Sequence, residues 1–434
     1  MLSRLFHFLW GDISKEELKK FCLLGLGLLF TLMAFWILRP IKDVLFLSLV
    51  DKALLPYAKI ASLATLVVAL MLYAKLVDIL EKHRLVYVIT AFITLFLGII
   101  ATIIIIRSPG IYTQYTFATK LFGWIAYIIC GSSIAILYSM IWSFITSSMD
   151  IPSAIKGYPL IIIGAKMGAI TGSLLMLYAQ IIGIGGLLIT AATSIAGIAI
   201  IIKIFTHLYP STNMIITRKE KKPTGSLEGL RLFIKHPYLI GIFIISIIPD
   251  IIGEILNISM LFLADNCFNT PEQIATFLGG YGILANTATL IFASFGTSLF
   301  LRIWGVGTWL LLYPCITFAL LMYTWIFYGG LWTIAITLAL FKGIRYSIDQ
   351  PCREILLIPT SKDVLFKSKS WISAFGTHAG QGIGATLGAI ASSIGGLGLY
   401  GSIIPLSIVF LWLPVTWYVR KINHSLTQTN QILD

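Results

Sequence analysis

The stretch ILRPIKDVLF, residues 37–46, sets Arg39, Lys42 and Asp43 inside an apolar run that continues to about Val50. An ionised side chain at mid-bilayer costs about 2.5–3.5 kcal/mol on insertion scales, so charges that persist there face a cavity or pair with each other. A second group occupies FKGIRYSIDQPCREILLIP, residues 341–359. There Lys342, Arg345, Asp349, Arg353 and Glu354 recur mostly at spacings of three and four, so most share one helix face, which reads as predominantly cationic. Lys59, Lys166 within IIIGAKMGAITG, and the i,i+4 pair Asp250 and Glu254 complete the embedded set. Cations dominate it, and charge complementarity then selects an anion, a polyvalent one above all. Arginine offers phosphate oxygens a bidentate fork and lysine a point charge. Two carboxylates one turn apart raise one pKa and suit a coupling proton, or else each partners a nearby cation.

Blander readings stand beside these. Arg39, Lys42 and Asp43 could snorkel from a helix end. The 342–354 face could be a cytoplasmic continuation carrying solvated ion pairs, and Lys166 a packing charge paired to a neighbour. Pro40 removes a backbone donor and predicts a broken helix, the device by which transporters line a binding cavity. Lys75 and Asp78 read as a gating or loop pair, and His378, beside Gln381, as a weak ligand contact. No Ser/His/Asp set, His/Cys cluster or G-x-x-x-x-G-K-[ST] loop occurs, so neither catalytic residues, metal nor cofactor is expected. The GIGATLG run at 382–388 reads as helix-packing glycine rather than a phosphate loop.

The elements that must hold these charges follow from composition. The chain is 58% hydrophobic and 11% charged, where a soluble domain runs near 25% charged. That predicts an all-α integral membrane protein. Apolar stretches near or above the ~20 residues of a spanning helix fall at roughly 21–50, 56–80, 86–106, 119–147, 157–180, 181–202, 238–264, 273–300, 306–328, 330–350, 370–394 and 399–419, twelve in all. The first is a full span rather than a short signal core, so no cleavable signal is expected. Glycines around 183–186, at 329–330 and around 395–398 predict tight hairpins. With loops assigned alternately, one side collects Lys15, Lys19, Lys20, Arg84, Lys156, the TRKEKK run, Arg231, Arg302, Lys362 and Arg420. The positive-inside rule makes that side, and both termini, cytoplasmic. It also absorbs most of the +13 net charge without a nucleic-acid partner. Five scattered cysteines suggest neither disulfides nor a metal site. The longest polar stretch divides the chain into a six-helix bundle at 1–205, a basic cytoplasmic linker at 206–236 and a second six-helix bundle at 237–434, a major-facilitator-like layout.

The charged groups also carry a resemblance. LRPIKD at 38–43 resembles the L-R-x-x-K-D signature of the ATP/ADP translocase (nucleotide transporter) family of plastids and obligate intracellular bacteria, and LYAKLVDIL at 72–80 is similar to its second-helix end. KGIRYSIDQPCREILLIP at 342–359 is similar to that family's tenth-helix motif, with Lys342, Arg345, Tyr346, Pro351, Cys352, Arg353, Glu354, Ile358 and Pro359 on matching positions. NTPEQIATFLGGY at 269–281 is a weaker echo. The departures are specific. The motif's Asp falls on Gln350, with Asp349 one place earlier, and the seventh-helix acid and amide are exchanged at Glu254 and Asn257. Gln381 stands for a lysine, Cys130 for a glutamate, and Lys166 for a position that is usually asparagine. The chain thus resembles a diverged member.

The expectation is a transporter, not an enzyme, that moves a nucleotide or similar phosphorylated anion by alternating access, as an exchanger. Arg39, Lys42, Lys59, Lys166, Lys342, Arg345, Arg353 and, through the resemblance, Tyr346 would hold substrate. Asp43, Asp250, Glu254, Asp349 and Glu354 would serve as counter-ions or coupling groups. A proton-coupled carrier of another organic anion and a non-transporting membrane scaffold are the alternatives. The expected setting is a bacterial inner membrane, with the chain monomeric in the bilayer and a small anion as its partner.

Overall fold

The computed structural model of the protein describes residues 14–108, 110–112, 116–149, 151–209, 237–295, 297–356 and 376–429. Among them the long elements are all helices: α1 Lys15–Leu49, α2 Leu55–Ile79, α3 Lys82–Arg107, α4 Phe117–Ser147, α5 Ile151–Leu177 and α6 Ala179–Leu208. After the linker come α7 Pro237–Cys267, α8 Pro271–Phe295, α9 Thr297–Ile326, α10 beginning at Leu331, α11 Thr377–Ser393 and α12 Ile403–Thr429. Helix α10 is composite: Leu331–Ile344, a π-helical turn Arg345–Asp349, then Gln350–Leu356. Eleven of the twelve are long and apolar enough to cross a membrane, and α11 falls just short with 17 described residues. Outward-facing side chains such as Ile106 (72% exposed) and Ile181 (82%) form the apolar exterior that lipid, not water, accommodates. The protein is a multi-pass integral membrane protein.

Two boundaries move relative to the hydropathy reading. The break expected at Pro40 is absent: α1 runs unbroken from Lys15 to Leu49 with Pro40 inside it. In a bilayer a freed backbone group has no water to turn to, so the helix absorbs one missing donor rather than opening. The helix starts on a capping box, Glu17 N–H donating to Ser14 Oγ (3.1 Å) and Ser14 N–H to Glu17 Oε2 (2.9 Å). The shift in α9 is a short added segment ahead of the expected span: Gly305 at φ 68° ends it, and the main helix begins where hydropathy placed the ninth span. Gly183 at φ 74° does the same in α6 and completes the expected α5–α6 hairpin; both need a left-handed backbone that glycine adopts without a Cβ clash. The stretch 357–375, part of the expected eleventh span, and most of the linker lie outside the described residues.

The described residues form two compact units, one of α1–α6 with Phe268–Ile283, the other of α7 and the chain from Leu284 onward. Each repeats one packing plan. In the first, α1 packs on α4, α5 and α6; in the second, α7 packs on α10, α11 and α12. Both plans rest on glycines spaced four apart. A Cβ on Gly164 would lie 2.6 Å from the Gly25 carbonyl oxygen, and one on Gly172 2.5 Å from that of Met33, with Gly168 pressed on the Leu29 backbone between them. In the second unit a Cβ on Gly384 would lie 2.6 Å from the Ile251 carbonyl oxygen, and one on Gly388 2.9 Å from Ile258 Cβ. Small residues on one stripe let two helix backbones approach closely, the main source of attraction between helices in lipid. Gly384 and Gly388 of the 382–388 run are therefore packing residues.

Candidate functional site

Each unit carries one buried charged group. In the first, Arg39, Lys42 and Asp43 lie within four residues on α1, so they share a face with Phe35 and Phe46. Lys42 Nζ sits 2.8 Å from Asp43 Oδ1 and donates to the Tyr127 hydroxyl at 2.9 Å. The same ammonium lies 4.1 Å from the centre of the Tyr127 ring. Tyr127 is held in turn by Phe46, edge-on at 5.2 Å. The Arg39 guanidinium stands 5.7 Å from the Phe35 ring. Arg39 and Lys59 both interact electrostatically with Asp43 and Lys42. Three cations thus bear electrostatically on one carboxylate, Lys42 in direct contact with it. Snorkelling from a helix end does not describe this: the Lys42 side chain is only 15% exposed and that of Asp43 9%.

The second group belongs to α7 and α10. Arg345 Nη2 meets Asp250 Oδ2 at 2.6 Å, with side chains 8% and 5% exposed. One π-turn further, Arg353 Nε meets Asp349 Oδ2 at 2.9 Å. Arg345 Nε is left over from its pair with Asp250, buried with no acceptor among the described residues. The π-turn bonds Gln350 N–H to the Arg345 carbonyl, inserting one residue per turn and turning the charged face inward. Tyr313 of α9 packs on the same group, stacked 5.8 Å from Phe341 and edge-on 5.2 Å from Trp412. It interacts electrostatically with Asp349, Arg345, Arg353 and Asp250. Its hydroxyl is buried with no hydrogen-bond partner among the described residues.

One sequence expectation changes here. The 342–354 face is not predominantly cationic, because Arg345 and Arg353 are each matched by an aspartate. Of the two readings of Asp250 and Glu254, the pairing with a cation describes Asp250, which takes a guanidinium, while Glu254 accepts from Asn257 Nδ2 at 3.2 Å. The α11 glycine stripe fixes both, since a Cβ on Gly380 would lie 2.7 Å from Asp250 Cβ and one on Gly384 2.8 Å from Glu254 Cβ.

The remaining candidates divide. Lys59 joins the first group. Lys342 is half-buried in the turn before Arg345, and Tyr346 is 47% exposed with the Arg345 guanidinium 5.7 Å from its ring centre. Lys166 joins neither group: it is half-buried on α5, and among the described residues it has no ion-pair or hydrogen-bond partner. It lies two residues from both Gly164 and Gly168, ~200° around the helix from the α1-facing stripe. The side chains of Glu354, His378 and Asp78 lie outside the described residues. Tyr127 and Tyr313 escaped the sequence reading. The one available signal for Tyr127 was the three-residue spacing of Trp124, Tyr127 and Cys130, which puts them on one face of α4.

Long apolar helices in two units of one packing plan, each enclosing buried charge, define a multi-pass membrane fold of the major-facilitator type. Solved structures agree on the fold. A bacterial homologue of the iron transporter ferroportin in its inward-facing state superposes with a TM-score of 0.67 at 13% identity, over 94% of this chain and all of that one. A single-residue mutant of the nucleoside transporter NupG does so at 0.65 and 12%, over 94% and 99%. The sequence model of the TLC ATP/ADP transporter family matches residues 1–425, and the chain belongs to that family. It is similar to the chloroplast ADP,ATP carrier protein 1 of Arabidopsis thaliana, 24% identical over 92% of this chain and 73% of that protein. It is also similar to ADP,ATP carrier protein 3 of Rickettsia conorii, 23% identical over 96% of each. The protein is a carrier, not an enzyme.

Proposed function

We propose that the protein moves a nucleotide across a bacterial inner membrane by alternating access and exchanges it for a second nucleotide from the other side. The observation that carries this reading is the group of three cations, Arg39, Lys42 and Lys59, around the single carboxylate of Asp43 in a chain of this family. Phosphate oxygens match a cation-rich group of this kind. Within the second unit, Arg345 and Arg353 are each held by an aspartate that a substrate oxygen can replace, and Arg345 Nε, with no acceptor among the described residues, is a further donor. Tyr346, exposed beside Arg345, offers a ring face to the rest of the substrate. The names of the plastid and rickettsial relatives favour ATP and ADP as the pair. Both termini are cytoplasmic on this reading, and the monomer is the working unit.

Arg345 pairing with Asp250 favours exchange over a proton-driven carrier, whose coupling site would have been the acid pair Asp250 and Glu254. Ligand-induced thermal shifts of the purified protein test the substrate class. ATP and ADP should stabilise it more than AMP, adenosine or inorganic phosphate, because each added phosphate engages more of the cations. Equal stabilisation by adenosine and ATP would refute a phosphate site.

A further inference from the structure

We infer that Tyr127 is a positioning residue that presents the Lys42 ammonium to a phosphate oxygen of the transported anion. The inference rests on the nucleotide-carrier reading above and adds to it a residue on a different helix.

A buried lysine poses a physical problem. Left alone, its long stem carries the ammonium toward water. Asp43, 2.8 Å away, anchors it from the same helix only. Tyr127 adds a second anchor, from α4. Its hydroxyl accepts from Nζ at 2.9 Å and its ring face lies 4.1 Å away. A tyrosine ring attracts a cation through its quadrupole without carrying a formal charge, so it anchors Lys42 and leaves the group cationic.

The donor count points the same way. An ammonium has three N–H bonds. One goes to Asp43 Oδ1 at 2.8 Å and one to Tyr127, which leaves the third for a substrate oxygen. The direction of that third bond is fixed because neither anchor can swing. Asp43 follows Lys42 on the same helix, and the Tyr127 ring, 1% exposed, is pinned edge-on by Phe46 at 5.2 Å.

The test is a double-mutant cycle on the full-length purified protein, read as the dissociation constant for ATP. Tyr127→Phe keeps the ring and loses the acceptor, and should weaken binding about threefold; Tyr127→Leu loses both and should weaken it about tenfold. Lys42→Ala should cost more than roughly tenfold. The double variant Lys42→Ala/Tyr127→Leu should bind within about twofold of Lys42→Ala alone, because Tyr127 has nothing left to position. A merely structural tyrosine would lower thermal stability without this coupling. Multiplicative losses in the double variant, or wild-type affinity in both Tyr127 variants while Lys42→Ala is impaired, overturn the role of Tyr127. Wild-type affinity in Lys42→Ala instead overturns the binding site itself. If Tyr127→Leu does not fold, Tyr127→Phe and the Lys42→Ala/Tyr127→Phe cycle carry the same comparison.

Discussion

Arg345 and Asp250 meet at 2.6 Å inside the second unit, joining the π-turn of α10 to the residue that follows Pro249 of α7. Both partners sit beside backbone irregularities, where a helix gives most easily. Their pairing explains how a membrane helix keeps a buried arginine in the absence of substrate, since an unpaired charge at that depth is costly.

Breaking that pair on one side should therefore harm the fold as well as the activity. Arg345→Ala leaves Asp250 buried and unmatched, and should destabilise the protein by ~3–5 kcal/mol. Arg345→Met with Asp250→Leu should recover most of the lost melting temperature and none of the transport. Thermal unfolding in detergent beside uptake assays separates the two effects. Transport recovery in the double variant would exclude Arg345 from substrate handling.

Lys42 should behave differently, because the first group holds excess cations. Lys42→Ala should weaken nucleotide binding more than roughly tenfold, and Lys42→Arg should be partly active, since it keeps charge while changing the fit to Asp43 and Tyr127. Apo-state stability should fall less than in Arg345→Ala, because Arg39 and Lys59 still face Asp43. Equal destabilisation in the two alanine variants would contradict the unequal charge balance of the groups.

The glycine stripes give a packing prediction with an internal control. Gly384→Ala adds a Cβ 2.6 Å from the Ile251 carbonyl oxygen and 2.8 Å from Glu254 Cβ, so α7 and α11 must separate. Overpacking of this kind costs about 1–3 kcal/mol. Gly98→Ala on α3 meets nothing within 4 Å and should leave the melting temperature unchanged or raised. A neutral Gly384→Ala would mean that α11 does not bear on the carboxylates as described.

Orientation has its own test. An epitope inserted between residues 211 and 222, in the basic linker, should be inaccessible to antibody or protease in intact cells and become accessible on lysis. Labelling from outside would invert the topology.

The spans were legible because lipid imposes a simple code, in which apolar length marks them. The embedded charges were legible for the same reason, as violations of that code. What escaped were pairings that depend on which helices pack. Asp250 and Glu254 stand one turn apart in sequence, yet the partner of Asp250 arrives from α10, about ninety residues later. Tyr127 reads as one more aromatic in an apolar helix until α4 packs on α1. Pro40 misled because local propensity favours a break, whereas the bilayer penalises an open backbone more. The real irregularity, the Arg345–Asp349 π-turn, has no proline or glycine within it to announce it.

The central claim is exchange of phosphorylated nucleotide, and the most direct measurement is uptake of labelled ATP into proteoliposomes holding the purified protein. Vesicles preloaded with ADP should accumulate label, empty vesicles should not, and an imposed pH gradient should change neither result. Uptake into empty vesicles driven by the pH gradient, or no flux with ADP inside, would contradict it.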